Sequence, residues 1–279
     1  MKHLVTSGCS FSDYENPERT WPLHLQDLTQ MDKIIITSGC SFSDVGSVNK
    51  TWPLHFQDLT QDKYDKFHHL GACGQGEDYI SRSVIYKVNE LLKDNNSDDI
   101  FVIVGWSGLQ RRAILVNNET TKMHYRFKDW YPMGESETMK GVSIGSWQDF
   151  DEEYLKLLTE EQNIIISLEH MIRTQDFLRV NNVDYKFFGF TNLFANLDEE
   201  NFLTKGRGTR IDKKYPNTSY LFDIMDWNKW WFHNEFGGLA DWVNENITDG
   251  FDGKGKNTGH PLANSQRLFT KEVVLKWIK

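Results

Sequence analysis

The sequence predicts an α/β protein, a three-layer α/β/α sandwich around a mostly parallel sheet. From residue 31 onward, short apolar runs alternate with helix-length amphipathic segments, the pattern of a parallel sheet covered on both faces. The run Ile100 to Val104 is apolar throughout, as a strand buried on both sides must be. Small-residue turns rich in glycine and serine follow several of these runs, where open α/β sheets carry their functional groups.

Taken in order, Ile34 to Thr37 reads as the first strand, β-branched at every position. Trp52 to Thr60 reads as a helix with Pro53 in its first turn, where a missing N–H costs nothing. Phe67 to Leu70 is a short second strand. Asp78 to Lys93 is a helix whose Ile80, Val84, Val88, Leu91 and Leu92 share one face, ended by Asp94-Asn-Asn-Ser before the third strand, Ile100 to Val104. Residues 114 to 148 break the rhythm and read as an insertion on the rim. Phe150 to Val180 reads as two helices, Tyr185 to Phe190 as a fourth strand, and Asp198 to Tyr215 as a polar loop. An aromatic helical region, Tyr220 to Asn246, a loop from Asp249 to Asn257 and a closing helix from Pro261 to Ile278 complete the chain.

The front of the chain repeats itself at an offset of about 31 residues. Thr6 to Asp13 recurs as Thr37 to Asp44, Thr20 to His24 as Thr51 to His55, and Gln26 to Gln30 as Gln57 to Gln61. Two copies are too few for a solenoid. The second copy has the better strand and runs directly into the rest of the pattern, so the core domain is taken as 31 to 279. Residues 1 to 30 are then a strand-turn-helix appendage or an edge strand.

Composition narrows the function. The 279 residues are 39% hydrophobic and 25% charged, enough for a large core in a soluble chain. With 31 Lys+Arg against 40 Asp+Glu the net charge is -9, which argues against nucleic acid or an anionic membrane as partner. Three scattered cysteines make neither a disulfide framework nor a four-ligand zinc site. Without a signal peptide or membrane span, the expected setting is intracellular and reducing, that is, cytoplasmic.

Four junctions could carry chemistry. Ser38-Gly-Cys-Ser-Phe-Ser43 would expose Ser41 beside free backbone N–H groups, although a turn or N-cap serine explains the motif equally well. Gly71-Ala-Cys-Gly-Gln-Gly76 bends sharply or approaches a ligand, and as a nucleotide-binding turn it has the wrong place and glycine spacing. Gly105-Trp-Ser-Gly108, followed by Arg111 and Arg112, places Ser107 on the same rim. Gly259-His260-Pro261 holds a histidine at a helix start, suited to serve a serine as general base. His68 and His69 face opposite ways on a strand and do not suggest a shared metal. The aromatic segment 226 to 236 could stack sugar rings, but it reads better as packing against the sheet.

Jointly these blocks resemble the SGNH (GDSL-type) hydrolases, especially divergent phage-like forms with Gly-Cys-Ser-Phe in the first block. The resemblance runs over about residues 32 to 279 and implies the family's flavodoxin-like fold, no cofactor and no metal. It implies Ser41 as nucleophile, His260 as base, and an oxyanion hole from the N–H groups of Ser41 and Gly74 with the side chain of Ser107. The departures are Cys40 for the first-block aspartate, Ser107 for the oxyanion asparagine, and Asn257 for the aspartate that orients the histidine. In a serine protease the last change costs about 10⁴-fold in turnover, and Asp252 or Asp249 could substitute. Cys40 could itself be a nucleophile, and Ser10 repeats the local motif of Ser41.

The expected function is hydrolysis of an acyl ester on a small molecule or carbohydrate, with O-acetyl groups on sugars the first substrate class. The competing expectation is a catalytically silent SGNH-like module for binding or assembly, phage-encoded. A nucleotide-binding domain using Gly71 to Gly76 is a third.

Overall fold

The computed structural model describes residues 32–44, 50–109, 111–115, 130–133, 157–196, 209–251 and 260–278. In chain order these form β1 (Ile34–Gly39), α1 (Trp52–Thr60), β2 (Lys66–His69), α2 (Glu77–Leu91), β3 (Ile100–Trp106), β4 (Arg112–Leu115), β5 (Trp130–Met133), α3 (Glu160–Val180), β6 (Asp184–Gly189), β7 (Ala195–Asn196), β8 (Thr209–Arg210), α4 (Ile211–Lys214), α5 (Ser219–Ile224), β9 (Trp230–Trp231), α6 (Leu239–Asn246) and α7 (Ala263–Glu272). The expected appendage 1 to 30 lies outside the described residues, as do most of the insertion at 114 to 148 and Ser10, Asp252 and Asn257.

Five strands form one sheet in the order β2-β1-β3-β6-β9, and every neighbouring pair is parallel. The fold class is the one the alternating pattern predicts. Side chains of β1 alternate between two cores, as a strand's period of two requires. Ile34 and Ile36 join Val102, Val104 and Trp106 under α2 and α3, while Ile35 joins Ile103 and Phe188 under α1, α6 and α7. Each fully buried aliphatic side chain contributes about 1.5–3 kcal/mol. Two layers of helices and the sheet between them therefore close the sandwich.

Of the two helices expected over 150 to 180, the second is α3, Glu160–Val180, and the region of the first falls mostly outside the described residues. Thr159 caps the start of α3 by accepting from Gln162 N–H at 3.0 Å, and no glycine or proline interrupts it. The aromatic region 220 to 246 is not one helix. It divides into α5, a 3-10 turn at Trp227–Lys229, the two-residue strand β9 and α6. Asp226 initiates the turn by accepting from Asn228 N–H, and Trp230-Trp231 suit an edge strand better than a helix interior. The antiparallel pair β4-β5 falls at the start and near the middle of the expected rim insertion.

Candidate active site

Glycine packing shapes the turn that carries Ser41. Gly39 ends β1 opposite Gly105 of β3, and the chain then enters a 3-10 turn, Ser41–Ser43, closed by Ser43 N–H to Cys40 O at 2.8 Å. A Cβ on Gly39 would lie 2.4 Å from Ser43 Oγ, and one on Gly71 would lie 2.3 Å from the Ser43 carbonyl oxygen. A Cβ on Gly105 would lie 3.3 Å from the same hydroxyl. Glycines at three strand ends thus make room for Ser43, whose Oγ accepts from the Trp52 indole at 2.9 Å. The turn is fixed from below, with Ser41 at the carboxyl edge of the sheet.

His260 arrives at Ser41 from 219 residues later. Its Nε2 lies 2.7 Å from Ser41 Oγ, within range for direct proton transfer. An antiparallel bridge between Phe251 and Pro261, with Leu262 N–H donating to Gly250 O at 2.8 Å, fixes the backbone beside it. The Phe42 ring packs 4.9 Å from the imidazole and 5.0 Å from Phe190. Gln266 ties the two turns together. Its Oε1 accepts from Trp52 N–H at 2.9 Å, and its Nε2 donates to Pro261 O at 3.2 Å. The buried path Ser43–Trp52–Gln266–Pro261 therefore connects the residue two after Ser41 to the residue after His260.

Among the described residues, neither Ser41 N–H nor Gly74 N–H donates to a backbone carbonyl. Gly74 has φ +75°, a left-handed conformation that favours glycine. Its loop is held by Ala72 N–H to Gly39 O at 3.0 Å and by Cys73 N–H to Asp44 Oδ2 at 3.0 Å. Ser107 follows β3 on the same edge, fully buried, and its Oγ accepts from Arg111 Nη1 at 3.2 Å. With that lone pair engaged, the Ser107 hydroxyl keeps its proton to donate. Close packing also accounts for Gly76, since a Cβ there would meet the Arg111 carbonyl oxygen at 2.6 Å.

The remaining sequence candidates fall elsewhere. Cys40 is buried in the apolar cluster with Phe42, Trp52 and Phe56. Burial pushes the Cys73 thiol up, with Asp44 adding to the effect and Arg111 opposing it. Asp249 is exposed at φ 55° and does not hydrogen-bond His260. His69 spends both ring nitrogens, on Thr37 Oγ1 at 2.7 Å and Gln57 Oε1 at 2.8 Å. Among the described residues there is no cluster of three or more His, Cys, Asp or Glu able to hold a metal ion. Nor, among the described residues, is any helix long and apolar enough to cross a membrane. In the aromatic segment Trp230 is buried, while Trp231, with Trp242 and Trp277, lines an open groove of about 490 Å³.

The sequence assigned no role to Ser43, the Trp52 indole, Gln266 or Arg111. A signal existed for the first two, because the internal repeat carries both serines of the turn and the Trp-Pro pair, as Ser10, Ser12, Trp21 and Pro22.

Two solved structures resemble this fold. One is a crystal structure of TesA, 11% identical, covering 88% of this chain and 98% of its own, with a TM-score of 0.42. The other is a member of the lipolytic protein G-D-S-L family from Veillonella parvula DSM 2008, 10% identical, covering 87% and 96%, with a TM-score of 0.44. Neither likeness assigns a role to a residue. No curated protein matches the sequence. Residues 49–279 match one family model, and the chain belongs to that family, DUF6071, a family of unknown function.

Proposed function

We propose that this protein is a serine esterase of the SGNH hydrolase type. The observation that carries the reading is the 2.7 Å approach of His260 Nε2 to Ser41 Oγ. With its proton on Nδ1, the imidazole accepts the Ser41 hydroxyl proton as the oxygen attacks an acyl carbonyl. His260 then returns that proton to the leaving alcohol, and a water molecule activated by the same nitrogen releases the acid. The N–H groups of Ser41 and Gly74, with the Ser107 hydroxyl, hold the oxyanion. Two of these donors are backbone groups that, among the described residues, have no backbone acceptor.

Covalent labelling by a fluorophosphonate, read by peptide mass spectrometry, tests the reading. An adduct on Ser41 that disappears in His260→Ala is the expected result. Folded wild type that takes no adduct would overturn it. The second reading, a catalytically silent SGNH-like binding module, draws on Ser107, which stands where the family places an asparagine. Failure to turn over a broad panel of esters, together with absent labelling, would favour it.

A further inference from the structure

Arg111 is an unspent cation on the rim of the candidate site. It is half-buried, and among the described residues its guanidinium meets Ser107 Oγ at 3.2 Å and the face of Phe190 at 5.6 Å. Phe190 packs on Phe42, and Phe42 on His260, so the guanidinium rests at the end of an aromatic ledge that begins at the imidazole. On its other side the Arg111 backbone abuts Gly76, and its charge is felt at the Cys73 thiol, next to Gly74. Arg111 thus lies between Ser107 and the Gly74 loop.

Other arginines are satisfied differently. Arg210 and Arg179 pair with Asp212 and Asp176, and buried Arg112 donates to Ser167 Oγ and to the carbonyls of Arg111 and Asn163. Arg111 makes no ion pair among the described residues, although the chain carries 40 acidic residues against 31 basic ones. Asp44, on the same loop cluster, directs Oδ2 to Cys73 N–H. Glu77 also feels the Arg111 charge, but burial raises its pKa to about 8, so it is protonated at neutral pH and supplies no counter-charge. A partly desolvated guanidinium without one is costly unless a ligand supplies it, and its planar fork of donors matches a carboxylate.

We propose that Arg111 is a specificity-determining residue that selects esters carrying a carboxylate group. This rests on the esterase reading and assigns its substrate class. In a chain of net charge -9, an anionic ester would otherwise be repelled, so a local cation at the reacting centre decides between charged and neutral substrates. The carboxylate is held by the N–H donors that Arg111 does not spend on Ser107.

The test uses two matched pairs: mono-4-nitrophenyl adipate against 4-nitrophenyl hexanoate, and 4-acetoxybenzoate against 4-acetoxybenzamide. Wild type is expected to favour the anionic member of at least one pair by about 10-fold or more in kcat/KM, the scale of a charge-assisted hydrogen bond. Arg111→Met should remove that preference mainly through KM, and Arg111→Lys should restore part of it. Equal use of both members of each pair by wild type would overturn the proposal. So would an Arg111→Met variant that lowers kcat alike for charged and neutral esters, which would place the guanidinium on the oxyanion through Ser107. A calorimetric titration with 4-acetamidobenzoate, which is not an ester, separates the two readings. If no ester is turned over, the esterase reading fails, while binding that is lost in Arg111→Met still upholds the anion site and absent binding to wild type overturns it.

Discussion

Gln266 and Trp52 meet through a buried hydrogen bond, Oε1 to backbone N–H at 2.9 Å, across 214 residues of chain. The amide of Gln266 also donates to Pro261 O, so one side chain holds the turn before α1 against the turn that presents His260. Gln266→Ala leaves a buried N–H and a buried carbonyl without this partner, at a cost of about 1–3 kcal/mol for each. A lower Tm is expected by calorimetry. The fluorophosphonate labelling rate of Ser41 should fall by more than the unfolded fraction explains, because the imidazole is no longer registered to the hydroxyl.

Gly74→Ala places a Cβ on a residue at φ +75°. The left-handed conformation costs a side-chain-bearing residue about 1–2 kcal/mol. Relaxing that strain rotates the Gly74 N–H away from the position proposed for the oxyanion. Ester turnover should drop by about 10²-fold or more with KM little changed, on the scale of a lost oxyanion donor. A variant with unaltered kcat would show that Gly74 only shapes the loop.

Glu77 is fully buried at the start of α2, and among the described residues its carboxylate oxygens have no hydrogen-bond partner beyond its own backbone N–H. Burial pushes its pKa up from 4.5 to about 8, against the pull of Arg112. The folded state therefore binds this proton more tightly than the unfolded chain does. Stability falls as pH rises between about 4.5 and about 8, with a slope on the order of 1 kcal/mol per pH unit from this group. Glu77→Gln should flatten that part of the Tm-versus-pH curve, and parallel curves for the two proteins would refute the assignment.

Its neighbour Asp78 has the opposite linkage. Burial alone would raise its pKa, but the hydrogen bond to His170 at 2.8 Å, the charges of His170 and Arg112, and Ala113 N–H at 3.2 Å together hold it below the usual carboxylate range. This stabilisation is present above the unfolded value of 3.8 and is lost as pH falls through the depressed one. Asp78→Asn should lower stability near neutral pH and make the acid limb of the unfolding curve shallower. Chemical denaturation in steps between neutral pH and strong acid would read both effects.

The strands that pair deep in the sheet were legible because their composition admits one reading. Ile34 to Thr37 and Ile100 to Val104 are β-branched or apolar at every position, and the structure extends each by only two residues, to Gly39 and Trp106. Ser41 and His260 were legible for another reason. Each stands beside a small-residue or proline-containing turn at the edge where such sheets present side chains. β9 was not legible, since two tryptophans within an aromatic run have no periodicity to read. Gln266 was hidden as well. A glutamine on an amphipathic helix usually faces solvent, and only the closed fold shows that this one is buried against Trp52. For Arg111 the residue was visible beside Ser107, but the choice between an internal and an external anion is made in three dimensions.

The separation of 219 residues between Ser41 and His260 bears on how the protein is made. Synthesis delivers Ser41 well ahead of His260, and on the proposed esterase reading the serine is until then an ordinary alcohol without a base. A chain that stopped ahead of residue 260 would carry the same Gly-Cys-Ser-Phe turn and, on that reading, no activated hydroxyl, so labelling by a fluorophosphonate would report that the imidazole has arrived.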